Sequence, residues 1–197
     1  MSEDWRLFIA LELPPDVLRA IGRVQSDLKS ALGVRSLRWT RPEGIHLTLK
    51  FLGDAPAARL DELKAGMALA AAPSRPIELR ALGLGCFPNL ERPRVLWVGL
   101  AGDIEALRAL QAGVERRIAP LGFPSEERGF SPHLTLARTA QGTSRPDLAA
   151  IGAVAARRDR LEVGAWQATS LSLMRSQLKP DGAVYTRVAD APLGKQD

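Results

Sequence analysis

The chain has two histidines, His46 and His133, and each begins the same tetrapeptide, His-Leu-Thr-Leu. The reference pKa of imidazole is about 6.5, so one histidine can be a neutral base while another is a protonated acid. Cleavage of a phosphodiester needs a proton taken from the attacking oxygen and a proton given to the leaving oxygen. Two histidines on opposite sides of one phosphorus atom supply both transfers, and this scheme needs no metal. We therefore predict a two-histidine active site for phosphodiester cleavage.

A threonine follows each histidine by two residues, as Thr48 and Thr135. Side chains alternate between the two faces of a strand, so each threonine is expected on the face of its histidine. The leucines between them are expected on the opposite, core-facing side. A threonine hydroxyl can donate to a non-bridging phosphate oxygen, and this bond strengthens as negative charge grows in the transition state.

The tetrapeptides occupy equivalent positions in an internal repeat. An apolar segment, Leu7–Leu13 in one half and Val95–Leu100 in the other, is followed by an amphipathic stretch and then by the tetrapeptide. The chain separation between segment and tetrapeptide is nearly the same in both halves. We predict a duplicated strand–helix–strand unit, with halves at roughly 5–53 and 94–138. A pseudo-twofold axis between the halves would bring both histidines to one cleft.

Periodicity and turn residues predict an α+β fold. It would be one bilobal domain over 1–197, in which each lobe is an antiparallel or mixed sheet backed by helices and later strands complete the lobes. The predicted helices cover 15–32, 57–71, 103–118 and 146–158. The predicted strands cover 6–13, 77–84, 94–100, 161–165, 168–177 and 183–189.

Composition excludes several classes of protein. The net charge of +5 is compatible with a polyanionic partner but is not specific for one. Cys86 is the only cysteine, so no intramolecular disulfide can form. Two histidines without paired cysteines are too few to form a typical zinc site, so neither a metal nor another cofactor is predicted. Frequent charges and a start without secretory character predict a cytoplasmic protein with no membrane span, a monomer by default.

Motifs along nearly the whole chain resemble the two-histidine (2H) phosphoesterase superfamily. More narrowly, they are similar to those of the RNA 2′,3′-cyclic phosphodiesterases of the LigT type, once called 2′-5′ RNA ligases. The matching segments are Arg6–Pro14, Trp39–Pro42, His46–Gly53, Phe130–Arg138 and Gly182–Tyr185.

This resemblance implies a bilobal fold with a basic cleft between the lobes. It implies hydrolysis of a terminal 2′,3′-cyclic phosphate on RNA, such as a tRNA fragment, to a 2′-phosphate. His46 would then protonate the leaving O3′, and His133 would activate water. Thr48 and Thr135 would bind phosphate oxygens, and reversal of related chemistry would give 2′-5′ ligation. The repeat itself does not distinguish the two histidines.

The fifth residue after each histidine is Phe51 in one half and Arg138 in the other. The resemblance suggests that Phe51 contacts a base and Arg138 a phosphate. Strict alternation would put both on the leucine face, so these roles require a bulge or a strand end; otherwise Phe51 belongs to the core. Alternation puts Lys50 on the histidine face, where it either contacts the nucleic acid backbone or is a solvated lysine.

Two other functions stay open on the sequence alone. One is a phosphodiesterase for small cyclic nucleotides, which would use the same two histidines. The other is a non-catalytic RNA-binding module whose histidines only support the fold. The equivalent positions of both histidines in the repeat favour catalysis, because a lone structural histidine would not need a matching partner.

Overall fold

The computed structural model describes residues 3–33, 36–126, 129–180 and 182–194. Short 3-10 turns at 42–44, 57–59 and 119–121 join some of the helices and strands. In chain order the helices and strands are β1 (Asp4–Glu12), α1 (Pro15–Leu32), β2 (Leu37–Trp39), β3 (His46–Pro56), α2 (Leu60–Ala71), β4 (Ile77–Phe87), β5 (Val95–Gly102), α3 (Ile104–Ile118), β6 (His133–Thr139), α4 (Arg145–Ala156), β7 (Glu162–Ala168), β8 (Ser170–Lys179) and β9 (Gly182–Pro192).

The strands form two antiparallel sheets, which confirms the predicted α+β class. The first sheet has the order β3-β1-β8-β9, and the second has the order β2-β6-β5-β4-β7. All four predicted helices are present, within a few residues of their expected bounds. The short strand β2 has no counterpart among the predicted strands, because three residues are too few to show an alternating pattern.

Residues at the helix ends explain where the helices begin and end. Pro15 occupies the first turn of α1, and Gly33 ends that helix in the left-handed conformation, with φ of 57°. The amide of Gly33 donates to the carbonyl of Lys29 over 3.2 Å. Asp103 caps α3, since its carboxylate accepts the amide of Ala106 over 3.1 Å.

In both halves, the helix packs on a different sheet from the strand that precedes it. Helix α1 follows a strand of the first sheet but packs beside α4 on the second sheet. Helix α3 follows a strand of the second sheet but packs beside α2 against the first. The same crossing in each half agrees with the predicted pseudo-twofold relation.

Buried polar contacts fix α1 on the second sheet. The side chain of Gln25 is 2% exposed, and its amide donates to the carbonyls of Thr40 and Leu136 over 2.8 and 3.0 Å. Leu136 belongs to the strand that begins with His133, so this contact holds the helix against one of the two motif strands. No helix in the described parts of the chain is long and apolar enough to span a membrane.

Candidate active site

A β-bulge interrupts β3 just after Thr48. Thr48 and Lys50 pair with adjacent residues of β1, so Leu49 has no partner of its own. A bulge reverses the alternation of all side chains that follow it. Leu49 and Lys50 are therefore both buried on the core side. Phe51 returns to the face that carries His46, and its side chain is 62% exposed.

A bulge at the equivalent place interrupts β6. Thr135 and Ala137 pair with adjacent residues of β5, and Leu136 is the extra residue. Leu136 and Ala137 are both buried, whereas Arg138 is exposed on the face of His133. The two strands thus have the same burial pattern: half-buried histidine and threonine, buried neighbours, and an exposed fifth residue.

The bulges bring Phe51 and Arg138 to the histidine faces, as their predicted roles require. They also overturn the prediction for Lys50, because alternation no longer puts Lys50 beside the histidine. Its Nζ atom donates to Glu115 Oε2 over 2.6 Å and to the carbonyl of Pro124 over 2.8 Å. The Lys50 side chain is 0% exposed. The prediction that Lys50 contacts substrate phosphate, and the alternative that it is solvated, are therefore both wrong.

The two histidines are oriented by equivalent hydrogen bonds. His46 Nδ1 lies 2.9 Å from the carbonyl oxygen of Gly44, and His133 Nδ1 lies 2.8 Å from that of Ser131. A carbonyl oxygen can only accept, so each Nδ1 donates and carries the proton. In both neutral rings Nε2 is thereby left as the basic nitrogen.

Aromatic rings enclose His46. The ring of Phe8 stacks on it at a centroid distance of 4.5 Å, and Tyr185 meets it edge-on at 4.9 Å. This burial lowers the pKa of His46 to about 4, although the Gly44 carbonyl and the nearby Glu12 carboxylate favour the charged form. His46 is thus neutral at pH 7 in the ligand-free protein.

His133 is less enclosed than His46. Phe87 meets its ring edge-on at a centroid distance of 4.8 Å. Burial lowers the pKa of His133, the positive charge of Arg138 acts in the same direction, and the Ser131 carbonyl opposes both. The charged neighbours of the two histidines are therefore of opposite sign: a carboxylate near His46 and a guanidinium near His133.

Glu12 is held beside His46 by two donors. The two residues are paired across β1 and β3. The Glu12 carboxylate accepts the hydroxyl of Ser172 over 2.7 Å and forms an ion pair with Nε of Arg187 at 2.7 Å. These contacts fix the carboxylate that favours the charged form of His46.

The candidate site comprises the faces of the two sheets that carry His46 and His133. The helices cover the opposite faces, where the leucines of both tetrapeptides join the main hydrophobic core. On the histidine side of the first sheet, Phe8, Ala10 and Met174 form a separate small apolar cluster with Tyr185 packed against it. Strands β3 and β6 approach each other where the sheets meet. The amide of Thr40, just after β2, donates to the carbonyl of Leu136 over 2.9 Å and so continues the pairing of β2 with β6.

Sequence reasoning missed several side chains around the histidines. Phe8 and Glu12 lie within the apolar first strand, where nothing in the pattern separates them from other strand residues. Phe87 had no signal of its own, because it precedes a loop rather than a motif. No group of three or more His, Cys, Asp or Glu side chains able to hold a metal ion occurs in the described ranges.

A family model for LigT-like phosphoesterases matches the chain twice, over residues 11–97 and 98–185. The chain belongs to the LigT-like phosphoesterase family. Each match contains one His-Leu-Thr-Leu tetrapeptide, so the family pattern coincides with the internal repeat. The family resemblance based on the sequence motifs is confirmed.

Curated relatives of this phosphoesterase are named RNA 2′,3′-cyclic phosphodiesterase. One from Methanothermobacter thermautotrophicus is 33% identical over 182 residues, which is 92% of this chain and 95% of the relative. One from Geobacillus stearothermophilus is 39% identical over 135 residues, 68% of this chain, and the match spans only 42% of that longer protein.

The fold of this phosphoesterase is similar to that of a solved crystal structure. The structure of TT0787 from Thermus thermophilus superposes with a TM-score of 0.78 at 30% identity. The superposition covers 97% of this chain and 100% of the other. The arrangement of two sheets and crossing helices is therefore shared over the whole length.

Proposed function

We propose that this phosphoesterase hydrolyses the terminal 2′,3′-cyclic phosphate of RNA to a 2′-phosphate, with His46 and His133 as an acid–base pair and without a metal. One observation carries the proposal: two strands with matching bulges carry the same half-buried histidine and threonine, followed by the same buried pair and an exposed fifth residue. The names of the relatives support RNA as the substrate. Hydrolysis of an oligonucleotide ending in a 2′,3′-cyclic phosphate, with and without EDTA, tests it. If the oligonucleotide is hydrolysed neither with EDTA nor without it, the proposal is contradicted.

In the proposed reaction water attacks phosphorus and the bond from phosphorus to O3′ breaks. His133 Nε2 takes a proton from the attacking water, and protonated His46 gives a proton to O3′. The products are a 2′-phosphate and a free 3′-hydroxyl, and the proton count balances. The hydroxyls of Thr48 and Thr135 donate to the non-bridging oxygens.

The charges around the histidines support this division of labour. Burial holds the pKa of His46 at about 4, but the carboxylate of Glu12 favours the protonated ring that an acid needs. A guanidinium near His133 disfavours protonation, which suits a base that begins the reaction neutral. The assignment of acid and base that the family resemblance implies thus agrees with the opposite charges beside the two histidines, which the repeat itself does not distinguish.

The low pKa of His46 leads to a prediction about substrate binding. A group with a pKa of about 4 is rarely protonated at pH 7. The negative charge that raises the pKa of His46 must therefore come with the ligand. We expect 2′-AMP to raise the pKa of His46, because its phosphate adds negative charge beside the buried ring. Binding near pH 6 should accordingly take up protons. Titration of the imidazole resonances by NMR, with and without 2′-AMP, measures this shift.

Adenosine is the matched control, since it has the same base and ribose but no phosphate. We expect adenosine to leave the pKa of His46 near its ligand-free value. An unchanged pKa at saturating 2′-AMP would contradict the proposed role of His46 as the acid.

The fifth residues of the motifs complete the proposed substrate site. Phe51 offers an exposed ring on which any base can stack. The guanidinium of Arg138 matches phosphate oxygens in geometry and charge. We propose cytoplasmic RNA ends, tRNA fragments among them, as substrates of a monomeric enzyme. If the 5′-hydroxyl of a second RNA replaces water as the nucleophile, the bond from phosphorus to O3′ breaks in the same way and a 2′-5′ phosphodiester forms.

A further inference from the structure

A second arginine lies directly opposite Arg138. Strand β2 forms the edge of the second sheet and pairs with β6, and Arg38 is opposite Arg138 in that register. Directly opposed residues of an antiparallel pair share one face. Arg38 is therefore on the face that carries His133, and both arginine side chains are exposed.

These two guanidinium groups have no carboxylate partner among the residues that the structure describes. Like charges placed directly opposite on neighbouring strands destabilise a sheet. The pair of Arg38 and Arg138 therefore carries an electrostatic cost that an anion would remove. A single guanidinium already matches the oxygens of a phosphate group, so the two arginines can bind two neighbouring phosphates.

The position of Arg38 distinguishes it from Arg138. Thr135 pairs with Trp97, and Arg138 pairs with Val95. Thr135 and Arg138 are therefore separated by the length of two residues of β5, about 7 Å along the strand. Arg38 lies one strand further out, about 5 Å across from Arg138. It is thus more remote from the histidine and threonine, at the open edge of the sheet.

We propose that Arg38 binds the phosphate one nucleotide upstream of the cyclic phosphate, so that it selects RNA strands over mononucleotides. This inference rests on the proposed function and deepens it. A 2′,3′-cyclic mononucleotide has only the reacting phosphate, whereas a dinucleotide with the same end adds one internal phosphate. Arg38 has a ligand only in the second substrate.

The test compares these two substrates in Arg38→Ala. We expect the ratio of kcat/KM for the dinucleotide over the mononucleotide to fall about tenfold, because one charged contact is lost. A plot of log kcat/KM for the dinucleotide against the logarithm of the salt concentration should also become less steep, by about one in slope, because one phosphate contact is lost. Arg38→Lys should restore part of the ratio, since it keeps the charge without the planar fork.

Arg19→Ala is the matched control, because Arg19 is an exposed arginine on α1, away from the cleft. It makes the same change in net charge, and the ratio should stay at the wild-type value. An unchanged ratio in Arg38→Ala, or equal losses on both substrates, would overturn the proposal.

Binding separates this inference from the proposed function. If the wild-type protein hydrolyses neither substrate, the proposed function fails, and calorimetry still tests Arg38. Between the wild-type protein and Arg38→Ala, the affinity for a dinucleotide with a terminal 2′-phosphate should then fall about tenfold more than the affinity for 2′-AMP. Equal affinities of the dinucleotide for both proteins would overturn the role of Arg38.

Discussion

Replacing His46 or His133 with alanine lowers kcat on an oligonucleotide ending in a 2′,3′-cyclic phosphate by about 10² to 10⁴-fold. Each change removes one of the two proton transfers that the reaction needs. Because the histidines act as a unit, the double variant should lose little more than either single variant. Steady-state kinetics at pH 7 measure the loss, and calorimetry with 2′-AMP checks that the variants still fold and bind. A single variant with the wild-type rate would contradict the two-histidine mechanism.

A modified substrate tells the acid from the base. If sulfur replaces O3′ in the cyclic phosphate, the leaving group is a thiolate, which needs no proton at neutral pH. The thiol has a reference pKa of about 8.5. We expect this substrate to restore most of the rate of His46→Ala and little of the rate of His133→Ala. Rescue of His133→Ala alone would reverse the proposed roles.

Replacing Lys50 with alanine should destabilise the protein by about 3 kcal/mol. The ammonium is buried, and its loss leaves the carboxylate of Glu115 and the carbonyl of Pro124 without their donor. Glu115 is 15% exposed, so water compensates only a little. Urea denaturation monitored by tryptophan fluorescence measures the change in the free energy of unfolding.

Two further variants make this prediction specific. In Lys50→Met with Glu115→Gln, no charge is left unpaired and the side-chain volume is kept, so part of the stability should return. Lys64→Met removes a lysine that pairs with Asp61 at the surface over 2.9 Å, and it should cost under about 1 kcal/mol. Lys50→Ala with wild-type stability and a large loss of kcat/KM would favour the discarded phosphate contact.

Local patterns in the sequence were enough to predict most helices and strands. The apolar spacing of 15–32 and the residues Pro15 and Gly33 predicted the bounds of α1 correctly. Alternation placed each threonine on the face of its histidine, and the structure agrees, because the bulges come only after Thr48 and Thr135. Features that depend on neighbouring residues along the chain were thus predictable.

Features that depend on distant residues were not predictable. The bulges at Leu49 and Leu136 arise from pairing with other strands, and no residue type in the tetrapeptides signals them. The partners of Lys50 lie 65 and 74 residues away, so parity alone gave the wrong face. The register that brings Arg38 opposite Arg138 joins residues from two different halves of the chain.

The identity of the product tests the central claim most directly. An RNA oligonucleotide ending in a 2′,3′-cyclic phosphate is incubated with the protein in EDTA, and ³¹P NMR reads the phosphate end. The two-histidine mechanism, with His46 protonating O3′, predicts complete conversion to a single 2′-phosphate. A 3′-phosphate product, or a cyclic phosphate that stays intact until a divalent metal is added, would contradict it.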